Sequence, residues 1–288
     1  MNGILSTLLG IHADMYARIF SLPLLREWNR MVFCLSLRAH GYNNVQSHGI
    51  SGEKYLVEKI LKRLDPKVCV DVGANVGSYT SLLLSTCENT RVYAFEPLAG
   101  PFHELERLRT HFGERLVAVN KGVGSKVETL TIHFDAENTG LASFSEAIRN
   151  IPYVENERAC DVKVTTLDDF FLNVERVDRI DFIKIDTEGF EFEVIQGGSR
   201  IISRFEPKLI QIEYNWHHLF TEKTLYSFSK VMQGYDVFQL LPDGWVERDP
   251  KHPASNLYEF SNFIFVRKDV RDLLDEPHRG YSRWVCLR

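Results

Sequence analysis

Cysteine, excess positive charge and long apolar runs are all scarce in this chain, and each absence closes off a class of function. Its five cysteines, Cys34, Cys69, Cys87, Cys160 and Cys286, form no C-x-x-C pair. An odd, scattered set of this kind excludes a disulfide-framed scaffold and reads as reduced thiols in a cytoplasmic protein. A formal net charge of −5 argues against the basic face of a phosphate-driven nucleic-acid binder, so no nucleic-acid partner is expected. No run reaches the ~20 apolar residues a membrane span needs. Residues 1–13 lack a basic leader region and are closed by Asp14, so a soluble chain is expected. Internal repeats and low-complexity segments are absent too. What remains is an ordinary globular composition, 44% hydrophobic over 288 residues, enough for one generous α/β domain or a domain with a small appendage.

The informative stretch is Val68-Cys-Val-Asp-Val-Gly-Ala-Asn-Val-Gly-Ser-Tyr-Thr80. An apolar strand ends in Asp71, turns on Gly73 and Gly77, and enters an apolar helix. A second strand, 91–95, ends in Glu96-Pro97, at the distance where an acid reaches a ribose. A dinucleotide fingerprint wants G-x-G-x-x-G so that backbone amides approach a pyrophosphate. Here Asn75 stands where the middle glycine would be. A side chain there crowds a pyrophosphate but tolerates an uncharged thioether or a sulfonium linker, so the ligand is read as S-adenosylmethionine.

Regular patterning begins at Ser51. Val57, Ile60, Leu61 and Leu64 predict an amphipathic helix over 52–64. Strands are expected at 68–72, 91–95, 116–119, 180–185, 208–214, 236–241 and 262–267, with helices between most of them. A two-residue period over 128–134 and 161–165 predicts a β-rich excursion with a loop at 137–158. Alternating strands and helices imply a mostly parallel sheet with right-handed crossovers. The last two strands lack a helix between them and should run antiparallel. Residues 1–47 are apolar-rich and broken by Pro23. They read as a pair of helices packed on the main domain, with a substrate lid, a homodimer contact or a surface-lying membrane helix as alternatives.

Several blocks in order resemble the FkbM-type S-adenosylmethionine-dependent methyltransferases. They are Asp71 to Thr80, Ala94-Phe-Glu-Pro97, Asn120 with Gly122-Val-Gly124, and Asn138-Thr-Gly140 with Ala142-Ser143. Val164-Thr-Thr-Leu-Asp-Asp169, Asp181-Phe-Ile-Lys-Ile-Asp-Thr-Glu-Gly-Phe-Glu191 and Ile212-Glu213 follow. Gly122 departs from the alanine more usual in that family. The resemblance covers about residues 50–270 and implies a Rossmann-like class I methyltransferase sheet, seven strands with the last inserted antiparallel. The chain is thereby divided into a helical N-terminal extension (1–47), a methyltransferase domain (48–270) and a C-terminal tail (271–288). It also implies methyl transfer, usually to a hydroxyl of a sugar, glycolipid or polyketide-like small molecule.

For the cofactor, the expected contacts are Asp71, Gly73, Asn75, Gly77, Tyr79, Glu96, Asn120 and Asp186. Glu96 would accept from both ribose hydroxyls, and Asn120 would line the adenine edge or cap a loop. Asp186, Glu188 and His217 are the catalytic candidates, since an unactivated hydroxyl must lose a proton as it attacks. Glu191 has the simpler role of favouring a helix N-terminus. Tyr79, Tyr153, Tyr214 and Trp216 are candidates for an acceptor-binding wall, with 137–158 as a lid. No Asp-Asp-Asn-like cluster follows strand four, so no metal is expected. Two rival readings are a nicotinamide-dependent oxidoreductase, disfavoured by Asn75 and a missing Tyr-x-x-x-Lys pair, and a catalytically silent S-adenosylmethionine-binding scaffold.

Overall fold

A computed structural model describes residues 3–135, 139–145, 151 and 157–271. Apolar segments at 68–72, 91–95 and 116–119 form parallel strands β1 (Val68–Val72), β2 (Arg91–Phe95) and β3 (Leu116–Val119). A second parallel set is added on the other side of β1, which makes β1 the switch point of the sheet. Short strands β4 (Gly122–Val123), β5 (Glu128–Phe134) and β6 (Arg158–Thr165) build a separate three-stranded sheet, the expected excursion. The chain then returns through β7 (Phe182–Ile185) and β8 (Leu209–Tyr214). The edge is completed by β9 (Tyr235–Leu241), β10 (Gly244–Glu247) and β11 (Ser261–Arg267).

The large sheet runs β10-β9-β11-β8-β7-β1-β2-β3. Strand β11 is inserted antiparallel between β8 and β9, as the class I methyltransferase pattern requires. It has eight strands where seven were expected. The addition is β10, hairpinned on β9 through the turn that ends at Gly244. Both faces are covered. Leu56, Val57, Leu83, Leu105, Phe182, Leu209 and Trp245 fill one side; Val70, Tyr93, Phe171, Ile183, Val194, Ile210 and Phe263 fill the other. This two-sided burial explains the near-continuous apolar strands of the centre.

The helical run over 53–64 forms as predicted, but its middle, Leu56–Leu61, widens to π-type hydrogen bonding. Residues His217–Phe220 make a helical turn before Leu225–Val231. The N-terminal extension forms helices Gly3–Phe20 and Arg26–Ala39 around a 3₁₀ turn at Pro23–Leu25. Its packing on the main body is slight: no residue of Arg26–Ala39 is buried, and Phe33 and Leu37 border a groove with Trp216 and Leu219. Burial begins just beyond it, where Tyr42 is fully covered and Asn43 donates to the Phe260 carbonyl. No helix among the described residues is long and apolar enough to cross a membrane.

Candidate active site

Strands β1, β2, β7 and β8 all end at one edge, where open α/β sheets bind ligands. A cavity of about 230 Å³ opens there, lined among others by Gly73, Asn75, Glu96, Gly122, Asp186 and Glu188. Its floor is set by a close approach. Gly73 has φ +82°, and a Cβ on it would fall 1.7 Å from the Asp186 carbonyl oxygen. A side chain there would push the ends of β1 and β7 apart.

Glu96 holds the cavity's opposite wall. Its carboxylate accepts from the Asn75 amide at 2.9 Å and the Leu98 amide at 2.8 Å, one bond to each oxygen. A carboxylate oxygen has a second lone pair, so both oxygens keep one acceptor site for a diol. Burial pushes the Glu96 carboxyl up to about 7, against the pull of the two amides. Asn120 does not line the cavity. Its side-chain amide donates to the Glu96 and Pro97 carbonyls at 2.9 and 3.0 Å, fixing the turn that presents Glu96. That is the loop-capping alternative of the sequence reading.

Asp71, Gly77 and Tyr79 stand back from the cavity as well. Asp71 is fully buried and accepts from Thr80 Oγ1 at 2.6 Å, tying the strand end to the helix after the glycine loop. At Gly77 the missing side chain leaves room for Leu105 and Leu108 rather than for a ligand. Tyr79, expected at the cofactor and on the acceptor wall, lies in the core with its hydroxyl on Gln211 Oε1 at 3.0 Å. The helix starts at Ser78, and its first turn directs this residue inward. Tyr214 is likewise fully buried. Trp216 packs in a small satellite cluster with Leu141, Ile151 and Phe220. Tyr153, Asn138 and most of the expected lid lie outside the described residues; of that loop, Gly140, Ala142 and Phe144 line the cavity. The bare Cα of Gly122 makes this possible, since a Cβ there would meet the Phe144 ring at 2.6 Å.

Lys184 is the residue that the sequence reading passed over. Registered between Asp71 on β1 and Gln211 on β8, it is buried with its ammonium 2.8 Å from Asp186 and 3.9 Å from Asp71. It also sits 5.0 Å over the Tyr79 ring. Burial opposes its charge, but Asp186, Asp71 and Glu53 together hold it above the ordinary lysine range. Glu53 in turn binds His48 at 2.6 Å and Gln211 at 3.2 Å. A signal existed: in Asp181-Phe-Ile-Lys-Ile-Asp186, a lysine inside an apolar parallel strand must find carboxylates.

Beyond Asp186, the chain turns through Glu188, a non-glycine residue at φ +53°. Glu191 holds that turn. Its carboxylate accepts from the Thr187 and Gly189 amides and pairs with His218 at 3.1 Å. Glu188 faces the cavity with Asn215 Nδ2 on its carboxyl at 3.1 Å. Burial, then the charges of Asp186 and Glu191, push this carboxyl well up. His217 does not reach the cavity; both its nitrogens point at Glu188, Nδ1 at the carbonyl oxygen and Nε2 at the carboxyl. Asp186, Glu188 and Glu213 each bring a carboxylate oxygen within 4.8 Å of the others, hard donors of the kind a divalent cation takes. The third of these comes from β8, so no motif confined to the residues after β7 contains it.

The FkbM methyltransferase domain model matches residues 71–244. The chain belongs to the FkbM methyltransferase family. Family members are S-adenosylmethionine-dependent, and the cavity over the ends of β1, β2 and β7 lies where open α/β sheets take their ligands. Methyltransferase 1 of Beauveria bassiana (strain ARSEF 2860) is 25% identical over 146 residues, 46% of this chain and 59% of that protein. The chain therefore spans under two thirds of that relative's length. Among solved structures, the methyltransferase domain of bacterial CtHen1-C is 13% identical with a TM-score of 0.41, covering 75% of this chain and 97% of its own. An S-adenosylmethionine-dependent methyltransferase from Aquifex aeolicus is 11% identical with a TM-score of 0.40, covering 77% and 93%. The fold assignment rests on the strand order rather than on these scores.

Proposed function

We propose that this FkbM-family methyltransferase moves the S-methyl group to a hydroxyl oxygen of a small molecule, with residues 48–270 as the catalytic body. The observation carrying the reading is that Glu188, backed by His217, shares one cavity with Glu96. A carbon or amine nucleophile has less need of a proton acceptor at that point; a hydroxyl must lose its proton.

In this reading Glu96 takes the ribose hydroxyls, and Gly73 and Asn75 let the backbone follow the methionine portion. Bound S-adenosylmethionine supplies an electrophilic methyl on a sulfonium. The protein's task is to hold the acceptor oxygen ~3 Å from it and in line with sulfur. A dry site suits a reaction in which sulfonium and developing alkoxide charge cancel. Deprotonation runs through the Glu188–His217 pair. The carboxyl takes the hydroxyl proton while its own proton passes to Nε2 of His217, 3.2 Å away. Asp186, already paired with Lys184, positions the acceptor. Sugars, glycolipids and polyketide-like molecules carry suitable hydroxyls.

The test is calorimetric titration with S-adenosylhomocysteine, followed by labelled methyl transfer to a panel of hydroxylated acceptors. Micromolar binding lost in Glu96→Ala, with label in an ether linkage, supports the reading. Label appearing only on nitrogen or carbon acceptors refutes the O-methyl assignment. Binding without turnover on every acceptor class favours a silent scaffold.

A further inference from the structure

The helical extension plays no part in the methyl-transfer reading, yet it holds most of the large apolar side chains left exposed among the described residues. Of the seventeen large apolar side chains left exposed among the described residues, ten fall between Ile11 and Leu35. They are ordered rather than scattered. Trp28, Met31 and Leu35 recur at steps of three and four, which aligns them along one stripe of the second helix, and the turn before it leaves Leu24 92% exposed. Ile11, Met15 and Ile19 recur every four along the first. Exposed apolar residues on a soluble surface are normally single.

Charge and composition select the occupant. Residues 1–40 carry Arg18, Arg26, Arg30 and Arg38 against Asp14 and Glu27, a net +2. The whole chain is −5, so the remainder is −7. A positive apolar extension on a negative body fits an anionic surface that the body itself avoids. No charged residue precedes Asp14, and the helix from Gly3 to Ile11 contains only apolar or small residues. An uncharged stretch of that kind, with Ser6 and Thr7 as its polar residues, lacks the charged residues that the outer face of a dimeric helical bundle carries, and suits an acyl-chain boundary. Tyr16, Phe20 and Trp28 stack in series, with centroids 4.3 and 5.4 Å apart. Tyr16 and Trp28, whose rings carry a polar group, are of the kind that favours the headgroup level.

We infer that the two N-terminal helices lie on the surface of an anionic lipid bilayer and dock the methyltransferase there. The second helix also meets the main body just beyond the end of β8. With Phe33 and Leu37 it forms one side of a groove of about 290 Å³, whose other side includes Trp216 and Leu219, beside His217. Docking therefore holds the end of β8 close to the membrane.

The experiment is flotation of the full-length protein with vesicles of phosphatidylcholine alone or doped with phosphatidylserine. Wild-type protein is expected to float with the anionic vesicles and to be released by salt. Leu24→Glu and Met31→Glu should each lower the partition coefficient by about tenfold, the scale of losing one buried apolar side chain. Arg18→Glu with Arg30→Glu should remove the preference for phosphatidylserine. Unchanged thermal unfolding midpoints show that the body is intact, whether or not the chain binds S-adenosylmethionine. Failure of wild type to float, or equal flotation of the Glu variants, overturns the inference. So does a sedimentation-defined dimer that the same variants dissociate without any flotation, since the stripes would then belong to a second copy.

Discussion

Glu188 holds both nitrogens of His217: Nδ1 lies 2.7 Å from its carbonyl oxygen and Nε2 lies 3.2 Å from its carboxyl. A carbonyl only accepts, so Nδ1 carries the ring proton. Burial holds the imidazole below its ordinary range. The neutral ring therefore turns a lone pair toward a carboxyl whose hold on its proton burial strengthens. One proton is shared where two groups meet, and its position depends on both. Glu188→Gln should lower kcat by about 10²–10⁴, the span of general acid–base contributions, with S-adenosylhomocysteine affinity nearly unchanged. His217→Asn, acting only through Glu188, should cut kcat less and displace the pH profile. A flat profile shared by wild type and His217→Asn would remove His217 from the proton path.

Gly73 makes a sharper structural prediction. At φ +82°, with the Asp186 carbonyl where a Cβ would go, Gly73→Ala combines backbone strain and steric overlap. Loss of about 2–4 kcal/mol of stability is expected from the two together, measured by urea unfolding. Cofactor affinity should fall with it, since Asp186 and Gly73 line the same cavity. A stable variant with intact affinity would mean that the ends of β1 and β7 are not pinned together.

Glu96 should confer pH dependence of definite sign. Its carboxyl is raised to about 7 in the folded protein by burial. The folded state thus holds a proton the unfolded chain has already released. The stabilisation this confers is complete below about pH 4.5, the ordinary glutamate value. It is lost as pH rises through about 7. Cofactor binding runs the other way, because ribose hydroxyls donate to the carboxylate form. S-adenosylhomocysteine affinity should therefore strengthen as pH rises through about 7, and Glu96→Gln should bind weakly and without this dependence. An unchanged pH profile in Glu96→Gln would place the ribose elsewhere.

The glycine loop, the strand positions and the acids at the strand ends were legible in the sequence because each depends on local chemistry, whereas the strand order came only with the family resemblance. Gly73, Glu96 and Asp186 mark turns and strand termini whatever surrounds them. The extra strand β10 was not legible: Gly244-Trp-Val-Glu247 is too short to show a period, and only pairing with β9 makes it a strand. His217 read as a free base because its engagement depends on a turn twenty-nine residues earlier. Tyr79 read as a ligand contact because sequence shows its distance from Gly77 but not the direction of the helix that starts between them. Lys184 stood out as a lysine within an apolar strand, but its partners on β1 and β8 were hidden for the same reason, since they rest on a register shared by three strands.

That register supplies the last prediction. Lys184 is the cation among Asp71, Asp186 and Glu53, and it is itself buried. Lys184→Met keeps much of the volume and the Tyr79 contact, but leaves the carboxylates uncompensated. Removing one partner of a buried charge cluster costs about 3–5 kcal/mol. The deficit should shrink as pH falls, because carboxylates without a counter-ion rise in pKa and the folded state then takes up protons that the unfolded chain does not. Asp186→Asn added to Lys184→Met should restore part of the loss, since neighbours in one network are not additive. Urea unfolding of the single and double variants at acidic and neutral pH decides it. A Lys184→Met protein equally stable at both, with no recovery in the double variant, would show that packing around the aliphatic stem, not charge, is what Lys184 contributes.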